Sequence, residues 1–153
     1  MPTFANTAYF FMSIRTNGFS KEEKICSDLQ ISSLFDKGTS FICYPMRVVW
    51  AEINDNGTSP AVKVLLSVSK KKLKHAVDRN RVKRLMRESY RLNKSVLYDN
   101  AALADRKLNI CFLWLSSETI DFERVSRKMR EALSKISDQL VVHQNTNDNG
   151  TRN

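Results

Sequence analysis

From Val62 to Val68 the chain alternates, with Val62, Val64, Leu66 and Val68 set against Lys63, Leu65 and Ser67. A period of two predicts a strand with one buried face. Earlier in the chain Ile31, Leu34 and Phe35 fall at i, i+3 and i+4. This spacing predicts a short helix from about Asp28 to Lys37, with Ser27 or Asp28 as its cap and Gly38 as a left-handed C-terminal stop. Residues 41–53 read as extended structure: Phe41-Ile42-Cys43-Tyr44, a bend at Pro45, then Arg47 to Ile53. Asn56-Gly57 marks a turn, which predicts that this strand and Ala61–Val68 form a hairpin. Lys107–Leu115 is a dense apolar strand, with Ile110, Phe112 and Trp114 on one face and Cys111, Leu113 and Leu115 on the other.

Two longer helices complete the pattern. One is predicted over Ala76–Val96 and the other over about Asp121–Leu140, capped by Ser117 or Thr119. In the second, Phe122, Val125, Met129, Leu133, Ile136 and Leu140 step by three or four residues, an unbroken apolar stripe. The order α-β-β-(β)-α-β-α implies an α/β (α+β) two-layer sandwich, with a sheet of about four strands covered by three helices. One domain is expected over residues 21–140. Residues 1–20 lack a period and are expected to be a loose extension, and the Asn-rich residues 141–153 a disordered tail. Met12 is a candidate start, with residues 1–11 then an over-extended reading; mass spectrometry of the native N-terminus distinguishes the two.

Composition changes this picture in one place. The chain has 153 residues and a net charge of +9, from 25 basic and 16 acidic residues. Lys70–Lys94 holds 11 of the basic residues against Asp78 and Glu88, so 11 − 2 = +9 resides in that window. The remainder sums to zero. So concentrated a charge repels itself unless a polyanion lies against it, and nucleic acid gains from the counterions each neutralised phosphate releases. No apolar run reaches the roughly 18 residues of a membrane span. The cluster Tyr9-Phe10-Phe11-Met12 lacks a basic residue before it and is followed by Arg15, unlike a secretory signal. Cys26, Cys43 and Cys111 are odd in number, far apart and without metal-ligand spacing, and read as small apolar residues of a reducing compartment.

At about 100° per residue, Val82, Leu85, Ser89, Leu92 and Val96 share one sector of the basic helix, with Met86 beside it. Asn80, Arg84, Arg87 and Arg91 fall opposite, flanked by Lys83. One face is thus free to pack on the sheet while the other presents guanidinium groups about 5–6 Å apart, near the spacing of phosphates along a strand. The planar fork of arginine engages two phosphate oxygens at once. An ordinary solvated face would need acids to pair with, and only Glu88 is within reach. A membrane-surface helix would need its apolar face for lipid, which the sheet requires.

Ser67-Val68-Ser69-Lys70-Lys71 followed by Ala76-Val77-Asp78-Arg79-Asn80-Arg81-Val82-Lys83-Arg84-Leu85-Met86-Arg87-Glu88-Ser89-Tyr90-Arg91 closely resembles the bacterial ribonuclease P protein component. Ile31, Leu34, Phe35 and Gly38-Thr39-Ser40 resemble that family's first helix and turn, and the likeness spans about residues 22–140. The resemblance implies the small subunit of a ribozyme whose RNA removes the 5′ leader of precursor tRNA with magnesium bound mainly by the RNA. It implies a cytoplasmic protein whose partners are ribonuclease P RNA and precursor tRNA, with no membrane and no DNA. RNA contacts would map onto Lys70, Lys71, Arg79, Asn80, Arg81, Lys83, Arg84, Arg87 and Arg91. A leader cleft would be lined by Ile31, Phe35 and a strand residue, Val49 or Trp50. It also implies a left-handed β-α-β crossover around the basic helix, against the usual hand. Two departures stand out: Lys72-Leu73-Lys74-His75 makes the basic loop longer than the family's, and Ile31 replaces an aromatic residue, so bases would pack on it without stacking.

No catalytic or metal-ligating constellation is legible. His75 reads as a further phosphate contact and His143 as a tail residue, while Asp99, Asp105 and Asp121 read as loop or cap residues. Asn80, a neutral group in a cationic row, suits a base edge, a ribose hydroxyl, a magnesium-bound water or a helix-start hydrogen bond. The competing functions are a general RNA-binding protein of the translation apparatus, a self-sufficient nuclease and a DNA reader. The nuclease lacks an acid cluster, and the DNA reader lacks a second helix arranged to enter a groove.

Overall fold

A computed structural model describes residues 20–54, 57, 60–100, 103 and 106–149. The elements in chain order are α1 (Asp28–Lys37), β1 (Thr39–Cys43), β2 (Met46–Ile53), β3 (Val62–Ser67), α2 (Ala76–Asn93), the single turn α3 (Ser95–Tyr98), β4 (Lys107–Trp114) and α4 (Phe122–Asn149). A 3-10 turn at Lys21–Glu23 precedes α1. The architecture is an α+β sandwich built on a four-stranded mixed sheet. What is expected of residues 1–19 and 150–153 lies outside the described residues.

The sheet order is β1-β2-β4-β3. β1 and β2 form a hairpin through Tyr44-Pro45, whose peptide bond is cis. The hairpin predicted between β2 and β3 does not form. β4 lies between them, antiparallel to β2 and parallel to β3. Alternation identifies a strand but not its neighbour, and β4 is apolar on both faces, which suits the centre of a sheet. Eight residues separate Ile53 from Val62, enough chain to span one intervening strand, since strands lie only about 4.8 Å apart.

One face of the sheet carries the main core. Met46, Val48, Trp50, Val62, Val64, Leu108, Ile110, Phe112 and Trp114 are buried there against α2, α3 and α4. The stripe of α4 packs as the pattern predicts, with Val125, Met129, Leu133, Ile136 and Leu140 buried. That helix continues beyond the predicted end at Leu140 to Asn149, so the segment expected to be a disordered tail is helical that far. Its N-terminal cap is Asp121, whose Oδ2 accepts from the Arg124 backbone N–H at 3.3 Å, and not Ser117 or Thr119.

The predicted helix Ala76–Val96 ends early, at Asn93. The Asn93 amide donates to the Ser89 carbonyl at 2.8 Å and to Ser126 Oγ at 3.0 Å, so its side chain competes with continued helix and ties α2 to α4. The buried face is also rotated from the predicted sector. Val82, Met86, Ser89 and Tyr90 are buried, whereas Leu92 is 47% exposed. Tyr90 decides the rotation by packing its ring on Phe112 at 6.3 Å. Burial, together with neighbouring Tyr98 and Glu23, pushes its phenol well above the ordinary range. Lys94 joins this corner through an ion pair with Glu23 at 3.2 Å, latching the segment before α1 to the end of α2.

Among the described residues, the other face is covered only in part. α1 packs on β2 and β4, and Ile25, Leu34, Val49 and Cys111 form a small second core. Gly38 ends α1 at φ −76°, so the expected left-handed stop is absent. Glycine is needed there for close approach, since a Cβ would lie 2.3 Å from the Leu34 carbonyl oxygen and 2.7 Å from Val49 Cγ1.

Candidate nucleic-acid interface

The basic surface begins where β3 ends. Ser69 organises the following turn: its carbonyl accepts from the Lys72 and Leu73 N–H groups at 3.2 Å, and its hydroxyl from Lys72 N–H at 3.3 Å. Leu73 is buried and anchors the loop, which leaves Lys70, Lys71, Lys72, Lys74 and His75 exposed around it. The loop therefore projects its lysines outward.

Along α2 the predicted cationic residues divide by surroundings. Asn80, Arg81, Arg84 and Arg87 are exposed, and Lys83 is half-buried on the flank. Arg91 is engaged by Glu88 through two guanidinium hydrogen bonds, one of them from Nε to Oε2 at 3.1 Å. That contact holds the Glu88 carboxyl below the usual carboxylate range and raises Arg91. Arg79 turns inward. Its Nη1 donates to the carbonyls of Leu73 at 2.9 Å and Lys74 at 2.7 Å, so it braces the basic loop against the first turn of the helix. Asn80 makes no helix-start bond, and the cap position is His75, with no side-chain capping bond.

The four residues expected at a leader cleft do not all meet. Ile31 and Phe35 stand one turn apart on α1, and Val49 packs on that side of the sheet. Phe35 is 46% exposed. Trp50, one residue on, points to the opposite face, where its Nε1 donates to Gln139 Oε1 at 2.8 Å. Strand alternation allows only one of the pair on the α1 side, and the structure places Val49 there.

The same alternation brings in residues that the sequence reading missed. Arg47 shares the face of Val49, is exposed, and donates from Nε to Ser40 Oγ at 2.9 Å. Register sets it between Ile42 on β1 and Leu113 on β4, and Ile42 is 66% exposed. Counting back two residues from Val49 would have found Arg47; Ile42 required the β1–β2 register. Among the described residues no three His, Cys, Asp or Glu side chains stand close enough together to hold a metal ion. No described helix is long and apolar enough to cross a membrane.

A small α+β domain with a solvent-facing arginine row on a helix seated in its core presents the charge that suits a polyanionic partner. The comparisons with known proteins say which. The family model described as Ribonuclease P matches residues 19–141, and the chain belongs to the ribonuclease P protein family. It is 40% identical over 124 residues to the ribonuclease P protein component of Porphyromonas gingivalis, covering 80% of this chain and 88% of that protein. The fold is similar to the ribonuclease P protein of Staphylococcus aureus, with a TM-score of 0.57 at 22% identity over 75% of this chain and 94% of the other. The Thermotoga maritima protein gives a TM-score of 0.58 at 22% identity, over 73% and 96%. Family membership makes tRNA processing the process this chain serves, as the protein component of a ribonucleoprotein with an RNA partner.

Proposed function

We propose that this chain binds the catalytic RNA of ribonuclease P through α2 and its preceding loop, and the 5′ leader of precursor tRNA through the face beside α1. It thereby promotes endonucleolytic removal of the leader in the cytoplasm. The observation that carries this reading is the exposed series Asn80, Arg81, Arg84 and Arg87, continuous with four exposed lysines of the loop and fixed on a buried helix face.

In this role the protein supplies position and charge. The arginine row neutralises phosphate repulsion between the two RNAs, which lowers the magnesium needed to bring them together. Leader bases stack on the half-exposed Phe35 ring and pack on Ile31, contacts that tolerate any sequence. Arg47 meets the leader backbone at the same face. The magnesium ions are assigned mainly to the RNA. Bond cleavage is assigned to the RNA, and no protein side chain is given a chemical step.

The test is cleavage of a 5′-labelled precursor tRNA at low magnesium by a bacterial ribonuclease P RNA, with and without this protein. Cleavage at the mature 5′ end only when both are present is the expected result. Tight, salt-sensitive RNA binding without stimulation would leave a general RNA-binding domain. Cleavage by the protein alone would make it a nuclease in its own right.

A further inference from the structure

The total charge outside Lys70–Lys94 is zero, yet the fold sorts it by face. On α4, Arg124, Arg127 and Arg130 are all exposed. None forms an ion pair among the described residues, and Glu131 is taken up by Lys128 at 3.0 Å. The packing of α4 fixes its orientation. Lys135 lies over the Phe41 ring at 4.7 Å and Cys43 Sγ reaches the Lys128 carbonyl at 3.3 Å, so that flank meets β1. Ser126 and Ser137 accept hydrogen bonds from Asn93 and Asn100, so the other flank meets α2 and the segment after it.

At about 100° per residue, Arg127 lies roughly opposite the buried stripe. Arg124 is displaced about 60° toward β1, and Arg130 about 60° toward α2. The three guanidinium groups therefore wind across the outer surface of α4 toward the flank that meets α2. Packed helices lie only about 8–10 Å apart, so a single RNA can reach both rows.

We propose that the outer face of α4 is a second RNA-contacting surface, in which Arg124, Arg127 and Arg130 take the phosphate backbone of the RNA that α2 binds. Successive groups at i and i+3 are about 5–6 Å apart, and each planar fork offers two donors to a phosphate. Glu123 and Asp138 are the remaining acids of this part of the helix; at neutral pH they leave the three arginines in excess. The inference rests on the reading of α2 as the ribozyme-RNA surface.

The test is binding of ribonuclease P RNA by the full chain across about 50–200 mM salt. The variant carries Arg124→Gln, Arg127→Gln and Arg130→Gln together, and thermal melting confirms its fold. Binding is expected to weaken 10- to 100-fold at the lower salt. The slope of log affinity against log salt should flatten by about 0.9 for each duplex phosphate that is no longer neutralised. The matching triple lysine variant retains the charge and should recover most of the slope. Unchanged affinity and slope, or weaker binding with an unchanged slope, overturns the proposal. A variant carrying Arg84→Ala and Arg87→Ala separates the two readings. If it loses affinity and slope while the α4 variant does not, only the α4 surface is refuted. If it loses neither, the assignment of α2 fails and this inference fails with it.

Discussion

The two faces of the sheet differ in how completely they are covered. Behind α2, α3 and α4, nine sheet residues from Met46 to Trp114 are buried in one continuous core. On the other side, among the described residues, the ten-residue α1 packs on β2 and β4, and Ile25 with the turn before it covers part of β3. There Phe35 and Ile42 remain exposed beside the exposed Arg47. A sheet closed on both faces would be more stable but would have nowhere to receive a ligand. The closed face holds the fold and fixes the direction of α2, while the open face keeps apolar and cationic side chains available at little cost to stability.

This contrast is sharpest in truncation. Phe112→Ala on the closed face should cost about 3–5 kcal/mol of stability, read from denaturant unfolding. Phe35→Ala on the open face should cost less than about 1 kcal/mol. Comparable losses would mean that the faces do not divide the labour. Next in size, Arg84→Ala and Arg87→Ala should each weaken RNA binding by roughly 1–3 kcal/mol and flatten its salt dependence, with melting temperature unchanged. Wild-type binding in both would remove the row from the interface.

Phe35→Ala should also leave ribozyme-RNA affinity intact while reducing discrimination between leader-bearing and mature tRNA, by about 1–3 kcal/mol for each base it stacks. Equal discrimination in the variant would place the leader elsewhere. The smallest effect concerns Cys111 beneath α1. Burial pushes its thiol up to about 12, so the native state holds a proton that the unfolded chain releases in the ordinary thiol range. Its contribution is intact at neutral pH and is lost as pH climbs from the ordinary thiol range toward 12. In Cys111→Ala the alkaline fall in stability should be shallower, and an undiminished fall would show that other groups govern it.

How much of this was legible in the sequence depended on whether a feature is local. α1, the stripe of α4 and the cationic run on α2 follow from short-range spacing and appear where expected. The failures of strand pairing and of helix rotation involve a partner distant in sequence, whereas the absent left-handed stop at Gly38 and the cap at Asp121 are local. β3 pairs with β4 and not β2, because pairing is decided by which strand can be buried on both faces. α2 is rotated because Tyr90 finds Phe112, and it stops because Asn93 finds Ser126. Within the site, the exposed arginines were legible as a class, but Arg79 and Arg84 look alike until the loop carbonyls claim one of them. Val49 and Trp50 could not be separated until the register was known, and Arg47 followed only then.

The most direct test of the division between surfaces is site-specific photocrosslinking within the assembled ribozyme–precursor tRNA complex. An azidophenylalanine would replace Ile42 on the open face in one protein and Asn80 on α2 in another. The expected result is crosslinking from position 42 to leader nucleotides and from position 80 to ribonuclease P RNA. Crosslinks from both positions to the same RNA, or with the two targets exchanged, would contradict the assignment of separate surfaces to the two RNAs.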